Sequence, residues 1–354
     1  MIIYTIVFGV IILLSLSFPV KQQYYIKKFV SFKLLSLFLL IIMVGFRYNV
    51  GADYNSYVNY FENLNVNNPF DYSKFEPAYT FINYIIKQNG WGVEIVFLVS
   101  AFITLFFVYK TLNSYSKIYS FSLFLFLVDG GYSNICNLVR QGVAISLFFF
   151  SVKYIIEKKF YIYVFLIVIA SLFHYSALFL IPVYFIADYN FSRKIYFFIY
   201  FISLLFLFTN IIYYLADFIS PFLFDYGRYL ESEYFTRVTQ VDTGLGFLFH
   251  NIVGIILIFF KNKIVKKDDK NIYFFNLYFI SLCTNLIFYR VYILLRMVKY
   301  FTWFKFLVLD KFILCFNKNS RKIVLFLIFI LYYIIFMYTV HTGSHISPYK
   351  FYFN

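Results

Sequence analysis

Long apolar runs recur along nearly the whole chain, and they decide what this sequence can fold into. They fall near residues 2–20, 32–46, 93–109, 118–129, 138–156, 160–187, 195–215, 245–260, 272–289, 297–315 and 322–340. A helix needs about 20 apolar residues to cross a bilayer core. The run 160–187 exceeds one crossing, holds His174 near its middle and Pro182 later, and reads as two short segments meeting at His174. The expectation is an all-α, polytopic integral membrane protein, 1–354 forming one membrane domain. It has about 12 transmembrane segments (about 10–12, since 118–129 is short), some of them short or broken. The run 2–20 lacks a basic start and a small-residue cleavage site, so it reads as a span and not as a cleaved signal.

Composition agrees. Of 354 residues, 62% are hydrophobic and 13% charged, against roughly a quarter charged in soluble domains. Such a chain could not cover itself with polar surface in water. A soluble enzyme, a nucleic-acid-binding domain and a disordered chain are excluded. The net charge of +15 therefore belongs to loops facing the cytoplasmic leaflet and not to a nucleic-acid partner. Cys136, Cys283 and Cys315 are widely spaced within apolar runs; they read as packing residues, and no metal is assigned.

Basic residues give the orientation. Lys21, Lys27, Lys28 and Lys33 follow the first span and place that loop inside. Alternation then puts inside Lys110 and Lys117; Lys153, Lys158 and Lys159; Arg193 and Lys194; Lys261, Lys263, Lys266, Lys267 and Lys270; and Lys305, Lys311, Lys318, Arg321 and Lys322. Twenty-one of the 31 basic residues lie inside, while 11 of the 16 acidic ones lie outside. Both termini are then extracytoplasmic. Residues 47–92 form an outside loop with a short interfacial helix, and 216–244 form a larger, mixed-charge one.

Arginine departs from this pattern. Six of the eight arginines, Arg47, Arg140, Arg228, Arg237, Arg290 and Arg296, fall outside, where positive charge is disfavoured. A cation at the edge of an apolar run costs about 2.5–3.5 kcal/mol on insertion scales. Arginine's planar fork binds phosphate bidentately, and lysine does not. The pattern points to an anionic, phosphate-bearing substrate at the outer interface; salt bridges to outside acids or to lipid phosphates are the plainer explanation.

Four stretches carry candidate chemistry. In RYNVGADYNSYVNYF, Arg47 ends a span, Gly51 permits a tight turn, Asp53 follows, and Tyr54, Tyr57 and Tyr60 recur at a spacing that puts their rings on one helical face. Such rings form a membrane belt or a platform for sugars. In FEPAYTFINYIIK, Glu76 precedes Pro77, a favourable first helical residue, and a helix too short to span runs to about Lys87. In DGGYSNICNLVRQGVAISLFFFSVKYI, Asp129, Gly130 and Gly131 break the chain, and Arg140 and Gln141 open a span. Helix rises of about 25 Å down to Ile156 and about 22 Å back from Phe160 return His174 to the depth of Arg140. Arg290 and Arg296 are six residues apart, so on one helix they diverge by about 120°. They can share a phosphate only if the helix breaks between them. His250 reads as structural. His341 and His345 are separated by Gly343 and Ser344, which weaken a helix, so they are not assigned a metal. The sequence has no Walker A loop, HExxH or G-x-S-x-G motif, which disfavours ATP-driven transport and zinc proteolysis.

RYNVGADYNSYVNYF, FEPAYTFINYIIK and NLVRQGVAISLFFFSVKYIIEKKFYIYVFLIVIASLFHYSALFLIPVYF, in this order, resemble the EpsG-like family of Wzy-type bacterial surface polysaccharide polymerases. The likeness covers about residues 40–190; beyond them only Arg290, Arg296 and the terminal SPYKFYF are suggestive. The resemblance implies a GT-C-like, multi-pass glycosyltransferase of the bacterial inner (plasma) membrane with its active site facing the periplasm or exterior. It would transfer a growing glycan from undecaprenyl pyrophosphate onto the next lipid-linked oligosaccharide repeat unit. It implies no cofactor and no metal; lipid-linked oligosaccharides and membrane lipid are the expected partners, with a chain-length regulator as a candidate. Carried over, Arg47, Arg140 with Gln141, and one of Arg290 or Arg296 would bind pyrophosphate; Tyr54 and Tyr57 are substrate-contact candidates from their spacing alone. Glu76, His174 and Asp53 are the base candidates. Glu76 ranks first if its site raises its pKa, and histidine as a residue type, His174 here, titrates near neutrality when unperturbed. An O-antigen-ligase-like transferase, a flippase and a membrane acyltransferase are the competing readings.

Overall fold

The computed structural model describes residues 2–16, 23–71, 75–209, 244–342 and 345–352. The regular secondary structure of the described residues is helical, with isolated bridge residues that include an antiparallel pair between Arg47 and Phe351. Four helices among them are long and apolar enough to cross a membrane: Val93–Tyr115, Val139–Ile156, Gly246–Val265 and Lys318–Thr342. Six more are apolar but shorter, including Tyr119–Val128 and Phe160–Ser171. The expected loop 216–244, with Arg228 and Arg237, lies outside the described residues except for Gly244.

The chain divides into two compact units. The first joins Met1–Tyr184 with Asn317–Asn354. It contains α1 (Ile2–Ser15), α2 (Gln23–Gly45), α3 (Tyr54–Asn63), α4 (Pro77–Gln88), α5 (Val93–Tyr115), α6 (Tyr119–Val128), α7 (Gly131–Asn137), α8 (Val139–Ile156) and α9 (Phe160–Ser171). In its core, α5 lies against both α2 and α8, and α9 returns along α8. All ten residues of α6 are buried. At 10 residues it rises only about 15 Å, and an interior place spares it a full lipid-facing span. Chain breaks fall where the sequence carries breakers. Gly130 adopts the left-handed conformation between α6 and α7, and Lys158 does so in the turn between α8 and α9.

The two ends of this unit are tied by different contacts. At one end Lys33 donates to Asn113 Oδ1 at 3.0 Å, and Tyr115 lies within the field of Glu157. At the other, the start of α1, residues 46–51, the 132–137 segment and the C-terminal tail come together. Tyr48 N–H donates to Lys350 O at 2.9 Å, Tyr352 N–H to Phe46 O at 2.9 Å and Gly51 N–H to His345 O at 2.8 Å. Tyr349 Oη donates to Met43 O at 2.7 Å, and Tyr4 Oη to Ile346 O. Residues 345–352 thus form a strap that closes the carbonyl end of α2, whose last C=O groups have no intrahelical donors.

The second unit is Phe185–Phe316, with α11 (Arg193–Leu205), α12 (Leu245–Val265), α13 (Asn271–Ile287), α14 (Tyr292–Thr302) and α15 (Phe304–Ile313). Here three of the lysines assigned to the inside face are buried. Lys261 is buried and donates to Phe191 O at 2.7 Å and to Asn190 Oδ1. Lys305 and Lys311 sit buried within α15, Lys311 paired with the buried Asp310 at 2.6 Å. These three lysines are interior groups that need polar partners once desolvated, not loop charges. α10 (Val183–Ile186) spans the division between the units.

Candidate active site

Glu76 is where the sequence's separate candidates meet. It caps α4 with an extended backbone, and Pro77 supplies the first turn; proline has no N–H to leave orphaned there. The next free donor, Ala78 N–H, bonds the carbonyl of Leu172 at 2.9 Å, where α9 ends. One bond thereby satisfies an unpaired helix N-terminal donor and an unpaired helix C-terminal acceptor. It also brings Glu76 to the chain break that carries His174. His174 is itself extended, after α9 and before a 3-10 segment at Tyr175–Leu180.

The carboxylate is shared. Arg140 Nη1 donates to Glu76 Oε2, and His174 Nδ1 lies 2.8 Å from Glu76 Oε1. The Glu76 side chain is 5% exposed, and Arg140 and His174 are each 17% exposed. The expected common depth of Arg140 and His174 is met, and an acid completes the pair. The Arg140 guanidinium lies over the Phe75 ring, 3.8 Å from its centroid. Phe75 in turn is fixed by α3: its ring lies 4.3 Å from that of Tyr60, and Tyr60 Oη is 2.7 Å from Thr80 Oγ1. Lys87 ties α3 to α4 by donating to the carbonyls of Phe61, Glu62 and Leu64.

Burial alone would push the Glu76 carboxyl up. The His174 hydrogen bond and the Arg140 charge outweigh it and hold the group below the usual carboxylate range. Tyr57 and Tyr79 lie beside Arg140, and burial raises both phenols. The site is therefore one fixed anion between a cation and an imidazole. Arg140 Nε is buried and has no hydrogen-bond partner among the described residues.

Other expected site residues take different places. Arg47 is 1% exposed; it donates through Nε to Val50 O at 3.0 Å, through Nη1 to Val44 O at 2.5 Å and through Nη2 to Cys136 O at 3.2 Å. Its guanidinium lies 4.4 Å from the Phe97 ring centroid. Arg47 holds the first loop together in place of the expected phosphate contact. Tyr54 and Tyr57 are likewise buried, stacked or edge-on to Phe97, in place of an exposed sugar platform. Asp53 is half-buried at the start of α3, and the carboxylate that joins Arg140 is Glu76. Gln141 is buried beside Arg140 in α8. Arg290 and Arg296 belong to the second unit, both half-buried, and the helix does break between them: α13 ends at Ile287 and α14 begins at Tyr292. Among the described residues no group of three His, Cys, Asp or Glu gathers as a metal site.

Two supports escaped the sequence reading. Asn137 Oδ1 accepts from Ala52 N–H at 2.8 Å, and a Cβ on Gly51, whose φ is +116°, would stand 2.4 Å from Cys136 O. The glycine and the NICN motif were visible separately; their contact was not.

No curated protein and no solved structure matches the chain. The model of the EpsG family matches residues 30–351. That span takes in every element of the Glu76 site, and the chain belongs to the EpsG family, membrane proteins of polysaccharide biosynthesis.

Proposed function

We propose that this protein is a polysaccharide polymerase. It transfers the growing glycan from a polyprenyl pyrophosphate, undecaprenyl pyrophosphate in bacteria, onto the next lipid-linked repeat unit. The carrying observation is the buried Arg140–Glu76–His174 cluster, in which one carboxylate joins a guanidinium to an imidazole. Pyrophosphate leaves with its own developing charge, so the donor half needs a preorganised cation more than a general acid. Arg140 is that cation, already oriented by Glu76 and by the Phe75 ring.

The proposal places the cluster at the outer face of the plasma membrane, with about 12 spans and both chain ends on that face. Assembly of the α1 start, the first loop, the 132–137 segment and the tail at one end of the first unit supports this orientation. The test is Arg140→Ala in the producing cell. Loss of polymer with retention of single repeat units at the surface is the expected result, and polymer of normal length would overturn the proposal. Complete but unattached polymer would indicate a ligase, and absence of surface units would indicate a flippase.

A further inference from the structure

We infer that His174 is the general base that deprotonates the acceptor sugar, and that Glu76, the residue favoured by sequence position, is its positioning partner. The inference rests on the transfer reaction proposed above.

The geometry separates the two roles. An ionised carboxylate only accepts hydrogen bonds. Both Glu76 oxygens are engaged, one by Arg140 and one by His174 at 2.8 Å. The proton in that second bond therefore sits on Nδ1, and in the neutral imidazole Nε2 carries the lone pair. A carboxylate spent on two donors and held below its usual range is a poor base. An imidazole whose tautomer is set by a buried acid is a good one: as it takes a proton, the fixed anion beside it gains a cation partner. His174 also keeps more exposure than Glu76, 17% against 5%, so a substrate hydroxyl meets it more readily.

The step balances. The acceptor hydroxyl gives its proton to His174 Nε2, and its oxygen pair forms the bond to the donor's anomeric carbon. The bond from that carbon to the pyrophosphate oxygen breaks, its electrons stay on the pyrophosphate beside Arg140, and the proton leaves His174 for water. Among the described residues the imidazole pairs with Glu76, Arg140 of α8 bonds the other oxygen of that carboxylate, and Tyr57 of α3 and Tyr79 of α4 lie near Arg140. Both phenols are raised by burial and stay neutral across the range of the test.

The experiment is the initial rate of polymer formation against pH, from pH 5 to 8.5, using reconstituted full-length protein and lipid-linked repeat units. His174→Asn keeps an N–H donor near the Nδ1 position for Glu76 and removes Nε2, so it preserves the structural bond and deletes the base. The wild type should lose rate toward acid as His174 protonates. H174N should fall by about 100-fold or more and lose that acid limb. Glu76→Gln should keep the limb but lower the rate, because the imidazole loses the acid that orients it. A wild-type ladder alongside an H174N profile of unchanged rate or unchanged acid limb would overturn this assignment alone. A wild type that makes no ladder would overturn the transfer reaction and the assignment with it.

Discussion

Removing Arg140 should unmask a buried anion, and the size of the effect can be worked from the contacts. In Arg140→Met, Glu76 stays 5% exposed and loses its cation. Breaking a buried pair by removing one partner costs about 3–5 kcal/mol. Two features hold the cost at the low end. His174 Nδ1 still bonds Oε1 at 2.8 Å, and the methionine thioether can remain against the Phe75 ring. The expected loss is therefore about 3 kcal/mol, or about two decades in the folded-to-unfolded ratio. Adding Glu76→Gln removes the stranded charge, and the double variant should recover about 2 kcal/mol, within the range of coupling for residues in contact. Equilibrium unfolding of the wild type, both single variants and the double variant in detergent micelles, followed by tryptophan fluorescence, closes the cycle. Polymerisation should stay lost in the double variant, which separates folding from chemistry. An R140M variant within about 1 kcal/mol of wild type, or strictly additive single effects, would refute the shared-carboxylate reasoning.

Three further outcomes are expected. Gly51→Ala forces a Cβ to 2.4 Å from Cys136 O at a φ of +116°; it should cost about 2–3 kcal/mol and be read as a lowered unfolding midpoint with reduced activity. Glu76 is held below its ordinary value of 4.5, so its contribution to stability is present above that value and lost as pH falls through the folded-state value. Unfolding measured against pH should therefore show a drop below about 4.5 that is shallower in Glu76→Gln. Deleting residues from 345 onward removes the bonds to Gly51, Tyr48 and Met43, and Cys136, buried in the intact chain, should become reactive toward a maleimide; an unchanged labelling rate would count against the strap.

Local signals carried much of the architecture. The apolar runs mark the helices, Pro77 marks the start of α4, and the break at His174 was visible as a polar residue in an overlong run. Helix rise alone placed His174 level with Arg140. What could not be read locally was Glu76 as their common partner, because it stands 64 residues from Arg140 and 98 from His174. Exposure was equally hidden. Arg47 looks like an outer-interface cation, yet backbone carbonyls of Val44, Val50 and Cys136 meet on its guanidinium. Lys261, Lys305 and Lys311 lie near run ends, where sequence cannot tell a loop lysine from an interior one. The terminal SPYKFYF run was noticeable, but its role depends on meeting residues 43–51 some three hundred positions earlier.

The most direct test of the account is made with purified protein in liposomes, given only lipid-linked repeat units. The account predicts a ladder of glycan lengths, with one polyprenyl pyrophosphate released per linkage formed, and no ladder from Arg140→Ala. Intact repeat units after incubation with the wild type, or transfer restricted to an unrelated acceptor, would contradict it.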